Sequence, residues 1–102
     1  MKLGGIFMVR HIVMWNFQEG FSAEENVENA QKMKSELESL TSIVEGIISL
    51  EVIISALGSG NMVLNSLFAD DAALIAYQTH PEHIRIGKFV GAVMTNRTYI
   101  DY

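Results

Sequence analysis

Residues 47–68, IISLEVIISALGSGNMVLNSLF, contain two apolar, β-branched segments on either side of a glycine-rich turn. The first segment, residues 47–56, carries apolar side chains on both of its faces, which is typical of a strand that is covered on both sides. The GSGN sequence at residues 58–61 supplies the turn chemistry of a hairpin. Residues 62–68 then predict a second strand. The centre of the chain therefore predicts an antiparallel β-hairpin.

A strand and a helix are predicted before this hairpin. Residues 9–17 (VRHIVMWNF) are rich in β-branched and aromatic side chains and predict a strand. Ser22 and Glu25 have the spacing of a capping box, which marks the start of a helix. Apolar side chains then recur at helical spacing to about residue 42. These side chains are Val27, Ala30, Met33, Leu37 and Leu40.

A broken helical element and a last strand are predicted after the hairpin. Asp70 and Asp71 can cap a short helix that runs through Tyr77, and Pro81 suits the first turn of a further helical stretch. Its apolar stripe is formed by Ile86, Phe89, Val90 and Val93. Residues 95–102 predict a strand. With the broken helix counted once, the order β-α-β-β-α-β predicts an α+β, ferredoxin-like domain with a four-stranded antiparallel sheet and helices on one face.

The second face of this sheet predicts a homodimer. Ile12 and Met14 point away from the helices, together with one side of the doubly apolar strand at residues 47–56. The chain is 49% hydrophobic and only 19% charged, so this surface is too apolar to leave in water. We expect a second copy to pack its sheet there and form a two-fold dimer. The alternative is a monomer with an unusually apolar sheet.

Composition argues against several classes of partner. A net charge of −5 and an isoelectric point near 5.0 argue against a nucleic-acid partner. The absence of cysteine excludes disulfides and thiolate metal sites, and it fits a reducing compartment. The longest uncharged run, residues 52–69, contains Gly58 and Gly60, so we expect no membrane span. The first seven residues are too short for a signal peptide, and a cytoplasmic location is expected.

Two histidines and a tyrosine are the candidate chemical groups. His11 lies on the strand face assigned to the helices, where a buried imidazole is either hydrogen-bonded in the core or faces a ligand. His83 lies early in the last helix, and Gly87, one turn later, leaves room beside its ring. An imidazole with an ordinary pKa of about 6.5 can abstract a proton at neutral pH. The alternative interpretation is that His83 is an ordinary surface histidine near the start of a helix. Tyr77 either donates its hydroxyl to a ligand or simply spans the core.

A third histidine has a structural interpretation. His80 precedes Pro81 and is expected to cap the following helix or anchor the turn. His80 and His83 are three residues apart, but no cysteine and no third ligand at a recognisable spacing accompanies them. We therefore expect neither a metal nor a cofactor. The sequence also lacks a glycine-rich phosphate loop and a Gly-x-Ser-x-Gly nucleophile elbow.

Three segments of the chain resemble a known family. MVRHIVMWNF at residues 8–17, ALIAYQTHPEHIRIGKFV at residues 73–90 and YIDY at residues 99–102 resemble the stress-responsive dimeric A/B barrel (Dabb) family. The resemblance covers residues 8–102 and leaves residues 1–7 as a short N-terminal extension, with Met8 as an alternative start. It implies a ferredoxin-like subunit whose sheet joins a second sheet in a dimeric α/β barrel.

The resemblance also implies a candidate site. Activities in the family are diverse, and its best-understood enzyme, the plant polyketide cyclase olivetolic acid cyclase, performs an aldol condensation without a cofactor. By resemblance, His83 corresponds to the catalytic base, Tyr77 to the tyrosine beside it and His11 to a pocket histidine on the first strand. Gly87 also matches a family position. The chain departs from that enzyme where Met62 replaces a histidine.

Further departures are Met33, where the enzyme has a tyrosine, and the bulkier Trp15, so we expect a different substrate.

Three hypotheses follow. The first is a homodimer of unassigned activity that binds a small apolar or aromatic ligand between sheet and helices. The second is a cofactor-free polyketide cyclase-like or lyase-like enzyme with a histidine base. The third is a structural, stress-associated dimer without a ligand, and this hypothesis predicts an interior filled by side chains.

Overall fold

The chain forms one four-stranded sheet covered on one face by three helices. A computed structural model describes residues 7–102, so the predicted extension at residues 1–7 lies outside the described residues except for Phe7. The elements are β1 (Val9–Phe17), α1 (Ala23–Ser39), β2 (Ile47–Ile54), β3 (Met62–Phe68), α2 (Asp71–Thr79), α3 (Pro81–Val93) and β4 (Met94–Asp101). All paired strands are antiparallel, in the order β2-β3-β1-β4. This is the predicted ferredoxin-like fold.

The first two helices begin where side chains satisfy their free backbone N–H groups. At α1, the Ser22 hydroxyl accepts from the Glu25 N–H at 3.1 Å, and the Glu25 carboxylate accepts from the Ser22 N–H at 2.9 Å. These two bonds form the predicted capping box. At α2, the Asp70 carboxylate accepts from the Ala73 N–H at 2.8 Å. The polar residues that precede each helix therefore fix where it starts.

The buried stripe of α1 is narrower than predicted. Ala30, Met33 and Leu37 are buried against the sheet, but Val27 is 55% exposed, so its assignment to the apolar face was wrong. Six residues of α-helix rotate Val27 about 120° away from Met33, which carries it beyond the stripe. The helix is continued by a 3₁₀ turn over Leu40–Ser42, and Leu40 closes the same stripe.

The two faces of β1 differ as predicted. Val9, His11, Val13 and Trp15 are buried beneath the helices, whereas Met14 on the opposite face is 44% exposed. We call that opposite, uncovered surface the open face of the sheet. Its apolar residues, assigned from the strand register, are Ile12, Met14, Ile53, Val63, Leu67 and Ile100. The helix-covered face holds the core and the cavity described below.

Candidate functional site

A cavity of about 190 Å³ lies between the sheet and the helices. Most of its wall is apolar and consists of Val13, Trp15, Leu37, Leu64, Val90 and Met94. Four polar residues also reach it, namely His11, Tyr77, His83 and Arg97. The interior is therefore not filled by side chains at this point, and all three predicted site residues meet there.

The size and opening of the cavity limit what it can hold. An apolar protein cavity of roughly 150 Å³ can hold benzene, so this one has room for a single aromatic ring with a few substituents. Gly87, Gly91 and Arg97 are the exposed residues of its lining, which places the opening between α3 and β4. A Cβ atom at either glycine would meet no atom of another element within 4 Å. The glycines thus leave space at the entrance.

Tyr77 projects from α2 and lines the cavity. The residue is 1% exposed, and its ring centroid lies 4.4 Å from that of His83 and 5.0 Å from that of Phe68. Burial raises the pKa of Tyr77 well above its ordinary value of 10.0, although the charge of Arg97 opposes this effect. Its hydroxyl therefore keeps its proton. It has no hydrogen-bond partner within residues 7–102, so it can donate to a ligand.

His83 lies in the first turn of α3, against the ring of Tyr77. Burial is the largest influence on it and lowers its pKa below the ordinary value of 6.5. A hydrogen bond to the backbone of Gln78 opposes this shift, while the nearby charges of Arg97 and the other two histidines add to it. His83 is therefore neutral at neutral pH. An imidazole that donates one N–H to a backbone carbonyl holds a lone pair on its other nitrogen, as a proton acceptor requires.

His11 is held in place by a carboxylate on the last strand. Its side chain is buried, and its Nδ1 hydrogen-bonds to the carboxylate of Asp101, which is the register partner of His11 in the β1–β4 pairing. An aspartate that accepts from Nδ1–H leaves the lone pair of the neutral ring on Nε2. The His11 ring lies 6.4 Å, centroid to centroid, from that of Tyr77. His11 is thus both a hydrogen-bonded core histidine and a cavity residue.

The sequence profile of the family described as stress responsive A/B barrel domain (Dabb) matches residues 9–102. The chain belongs to the A/B barrel family. The predicted resemblance is confirmed over nearly the whole chain. Among curated proteins, none matches.

Solved structures of similar proteins share the fold of this A/B barrel domain. A dimeric protein of unknown function with a ferredoxin-like fold from Bacteroides fragilis NCTC 9343 is 29% identical, over 93% of this chain and 94% of that chain, with a TM-score of 0.87. A Dabb family protein from Mesorhizobium loti MAFF303099 is 25% identical over 93% and 94% of the two chains, with a TM-score of 0.69. A hydroxynitrile lyase from Passiflora edulis is 16% identical over 93% and 91%, with a TM-score of 0.77, and indicates the fold alone.

Two polar residues of this A/B barrel domain, one at the cavity and one behind His11, were not predicted from the sequence. Asp101 holds His11, and Arg97 reaches the cavity at its mouth. Positions 97, 99 and 101 alternate onto one face of β4, and this two-residue period is a signal that the sequence does contain. Which partner each residue meets depends on the register of β1 against β4, and the sequence does not specify that register.

Several other predicted positions have structural roles. His80 caps α3, since its Nδ1 accepts from the Glu82 N–H at 3.1 Å, as predicted. Met33 and Met62 are buried in the core and do not line the cavity, whereas Trp15 forms part of its wall. Across residues 7–102 no group of three or more His, Asp or Glu side chains is arranged to hold a metal ion. No described helix is long and apolar enough to span a membrane.

Proposed function

We propose that this A/B barrel protein is a homodimer that binds a small apolar or aromatic molecule between its sheet and helices, without a cofactor. One observation supports this proposal above the others. His11, Tyr77 and His83 come from three separate elements and converge on a single, mostly apolar cavity. Apolar walls with a few convergent polar groups are the usual composition of a small-molecule site.

The polar groups would orient the ligand while the walls provide most of the affinity. A ring against Trp15 and Val13 would leave water and gain dispersion contacts. The protonated hydroxyl of Tyr77 would donate a hydrogen bond to a ligand oxygen, and the free nitrogen of neutral His83 would accept a hydrogen bond from a ligand donor. The purely structural hypothesis predicts a filled interior, and the cavity argues against it.

Fluorescence of the single tryptophan offers a direct test, because Trp15 lines the cavity. Benzaldehyde, titrated into the protein, should change the Trp15 emission with saturation. In Gly87→Leu the added side chain would occupy the entrance, so the response should be lost. The same variant should be at least as stable as the parent protein, since glycine inside a helix costs about 1 kcal/mol relative to better helix formers.

Lys88→Leu is the matched control for that variant. It adds a leucine to the neighbouring exposed position of α3, which does not line the cavity. Its benzaldehyde titration should match that of the parent protein. Saturable binding that survived Gly87→Leu would place the ligand elsewhere, and no saturable response in the parent protein would count against the proposal.

A second candidate function is a cofactor-free enzyme that uses His83 as a base. It is favoured by the pairing of a neutral histidine with a protonated tyrosine at 4.4 Å between ring centroids. In such a step a proton on the carbon beside a ligand carbonyl would move to the His83 lone pair. The C–H electrons would form an enolate, whose oxygen would accept a hydrogen bond from Tyr77. Return of the proton to carbon would restore the ligand.

Acetophenone in D₂O tests this step without knowledge of the substrate. Enzymatic proton abstraction would exchange its methyl protons for deuterium, which proton NMR follows as a loss of signal. His83→Gln should remove the acceleration, and Tyr77→Phe should reduce it while His83 is retained. Equal exchange rates in the parent protein and in His83→Gln would eliminate this candidate and would leave the binding function intact.

The homodimer is proposed to form through the open face of the sheet. Similar structures from Bacteroides fragilis, Thermobifida fusca and Jannaschia are described as dimeric. The open face of this chain offers apolar side chains, including Met14 and Ile100, that a single subunit leaves exposed. Burial of this face would account for the high apolar content of the chain.

Two further expectations depend on composition. A cytoplasmic location stays a prediction, supported by the absence of cysteine. The absence of a nucleic-acid partner also stays a prediction, supported by the net charge of −5. Retention on immobilised DNA at low salt, compared with a basic control protein, would test the second.

A further inference from the structure

Arg97 places a permanent positive charge at the mouth of the cavity. The residue lies on β4, lines the cavity and is exposed. Its guanidinium carbon lies 4.7 Å from the centroid of the Tyr99 ring, a stacking contact that favours one orientation of the guanidinium group. Arginine stays charged at any physiological pH.

Arg97 differs from the other arginines of the chain in having no polar partner among residues 7–102. Arg10 donates to the side-chain oxygen of Asn65 at 2.9 Å, and Arg85 pairs with two glutamates at 2.6 and 3.0 Å. Arg97 makes no salt bridge and no side-chain hydrogen bond within the described part of the chain, residues 7–102. Its donors are therefore available to a ligand.

The carboxylate on the same strand face as Arg97 belongs to Asp101, and it is hydrogen-bonded to another residue. Asp101 lies four residues further along β4 and is bonded to His11. The chain carries 12 acidic and 7 basic side chains, so an arginine without an acidic partner is not explained by a shortage of carboxylates. The site keeps its guanidinium unneutralised at the edge of an apolar cavity.

We infer that the cavity takes a small aromatic carboxylate, with its ring against the apolar wall and its carboxylate on Arg97. This inference rests on the proposed binding function and adds the charge class of the ligand. A guanidinium offers paired N–H donors that match the two oxygens of a carboxylate. Because Arg97 lies at the exposed mouth, the carboxylate would remain partly hydrated and would lose little of its solvation. The far end of the ring would then approach Tyr77 and His83.

A comparison of benzoate with benzamide distinguishes the effect of ligand charge on affinity from that of ligand shape, since the two molecules have almost the same size and differ in net charge. Both are titrated into the parent protein at neutral pH, and Trp15 fluorescence reports binding. Benzoate should bind about tenfold more tightly than benzamide, the scale of a hydrogen bond to a charged group. In Arg97→Gln the benzoate affinity should fall by about that factor while benzamide changes by less than about twofold. Added salt should weaken benzoate alone.

Arg85→Gln is the matched control, because it removes the same charge from an exposed site outside the cavity. It should leave both affinities unchanged, and the circular dichroism spectrum and melting temperature of each variant verify folding. Equal binding of the two probes to the parent protein, or an equal loss in Arg97→Gln and Arg85→Gln, would overturn the inference and leave the proposed function standing. Failure of both probes and of benzaldehyde would overturn both.

Discussion

Burial in the first turn of α3 lowers the pKa of His83 below its ordinary value of 6.5, against the hydrogen bond to Gln78 that raises it. In the unfolded chain the same imidazole titrates near its ordinary value. Between the two pKa values the unfolded state therefore binds more protons than the folded state. The contribution of His83 to stability is present above about pH 6.5 and is lost as the pH falls towards the lower, folded-state pKa.

His83→Gln should remove this part of the pH dependence. Urea unfolding of the parent protein and the variant between about pH 8 and pH 5 gives both free energies, and their difference should change in favour of the variant as the pH falls. A difference that stays constant across the range would mean that folding leaves the pKa of His83 unshifted.

Asp101 should determine the tautomer of His11. Nitrogen NMR should find His11 protonated on Nδ1, the nitrogen that faces the Asp101 carboxylate. Asp101→Ala should produce a mixture with the Nε2–H form, whereas Asp101→Asn should preserve Nδ1–H in part, because its amide oxygen can still accept. His80 is an internal reference, since its Nδ1 accepts from Glu82 and must stay unprotonated. An unchanged His11 spectrum in Asp101→Ala would refute the assignment.

The two kinds of site residue differ in how far a sequence can reveal them. His11, Tyr77 and His83 could be predicted to lie together, because strand alternation and helix spacing put each on the sheet–helix side. Arg97 and Asp101 could not, because their roles depend on which residues of β1 they face. A bulge between Met14 and Asn16 shifts that register, and nothing in the local sequence specifies its position.

Among the elements, α1 and β2 are joined at an edge of the sheet by two charged side chains. The Glu38 carboxylate accepts from the Val52 N–H at 2.9 Å and from the Lys34 ammonium at 2.7 Å. The ammonium also donates to the Val52 carbonyl at 2.6 Å. Because β2 is an edge strand, these bonds satisfy backbone groups that would otherwise be free to pair with another strand.

Glu38→Ala should lower the free energy of unfolding by about 1–2 kcal/mol, since the Val52 N–H loses its acceptor. Glu38→Gln should cost less, because an amide oxygen can still accept. Glu28→Ala on the exposed side of the same helix is the control and should change stability by less than about 0.5 kcal/mol. Urea unfolding measures all three, and equal effects of Glu38→Ala and Glu28→Ala would show that the contact contributes nothing.

Helix starts could be predicted from the sequence because capping residues and proline mark them, whereas strand ends and buried helix faces could be predicted less well. The capping box of α1 and the Pro81 start of α3 lie where the sequence predicts them. β2 ends at Ile54 rather than at residue 56, because apolar residues on both faces mark a strand without marking its end. Val27 shows the converse problem, since an apolar residue near a stripe in sequence can lie outside its angular range on the helix.

For the whole molecule, the proposed dimer interface and the proposed ligand site lie on opposite faces of the sheet. The cavity lies on the helix-covered face, and the open face carries the apolar residues proposed to meet a second copy. Met14 lies on β1, which is a central strand of the sheet, and is 44% exposed in the single chain. A charge there would cost the single subunit little and would have to be buried in a face-to-face dimer.

Met14→Glu should therefore convert the dimer into a folded monomer. Sedimentation at equal protein concentration should find a dimer for the parent protein and a monomer for the variant, because the two-fold axis duplicates each buried charge. Val27→Glu, at a position on α1 that is 55% exposed, is the control and should stay dimeric. The benzaldehyde response of Trp15 should survive in the monomer, since no cavity residue lies on the open face. A Met14→Glu protein that still sediments as a dimer would exclude the open face as the interface.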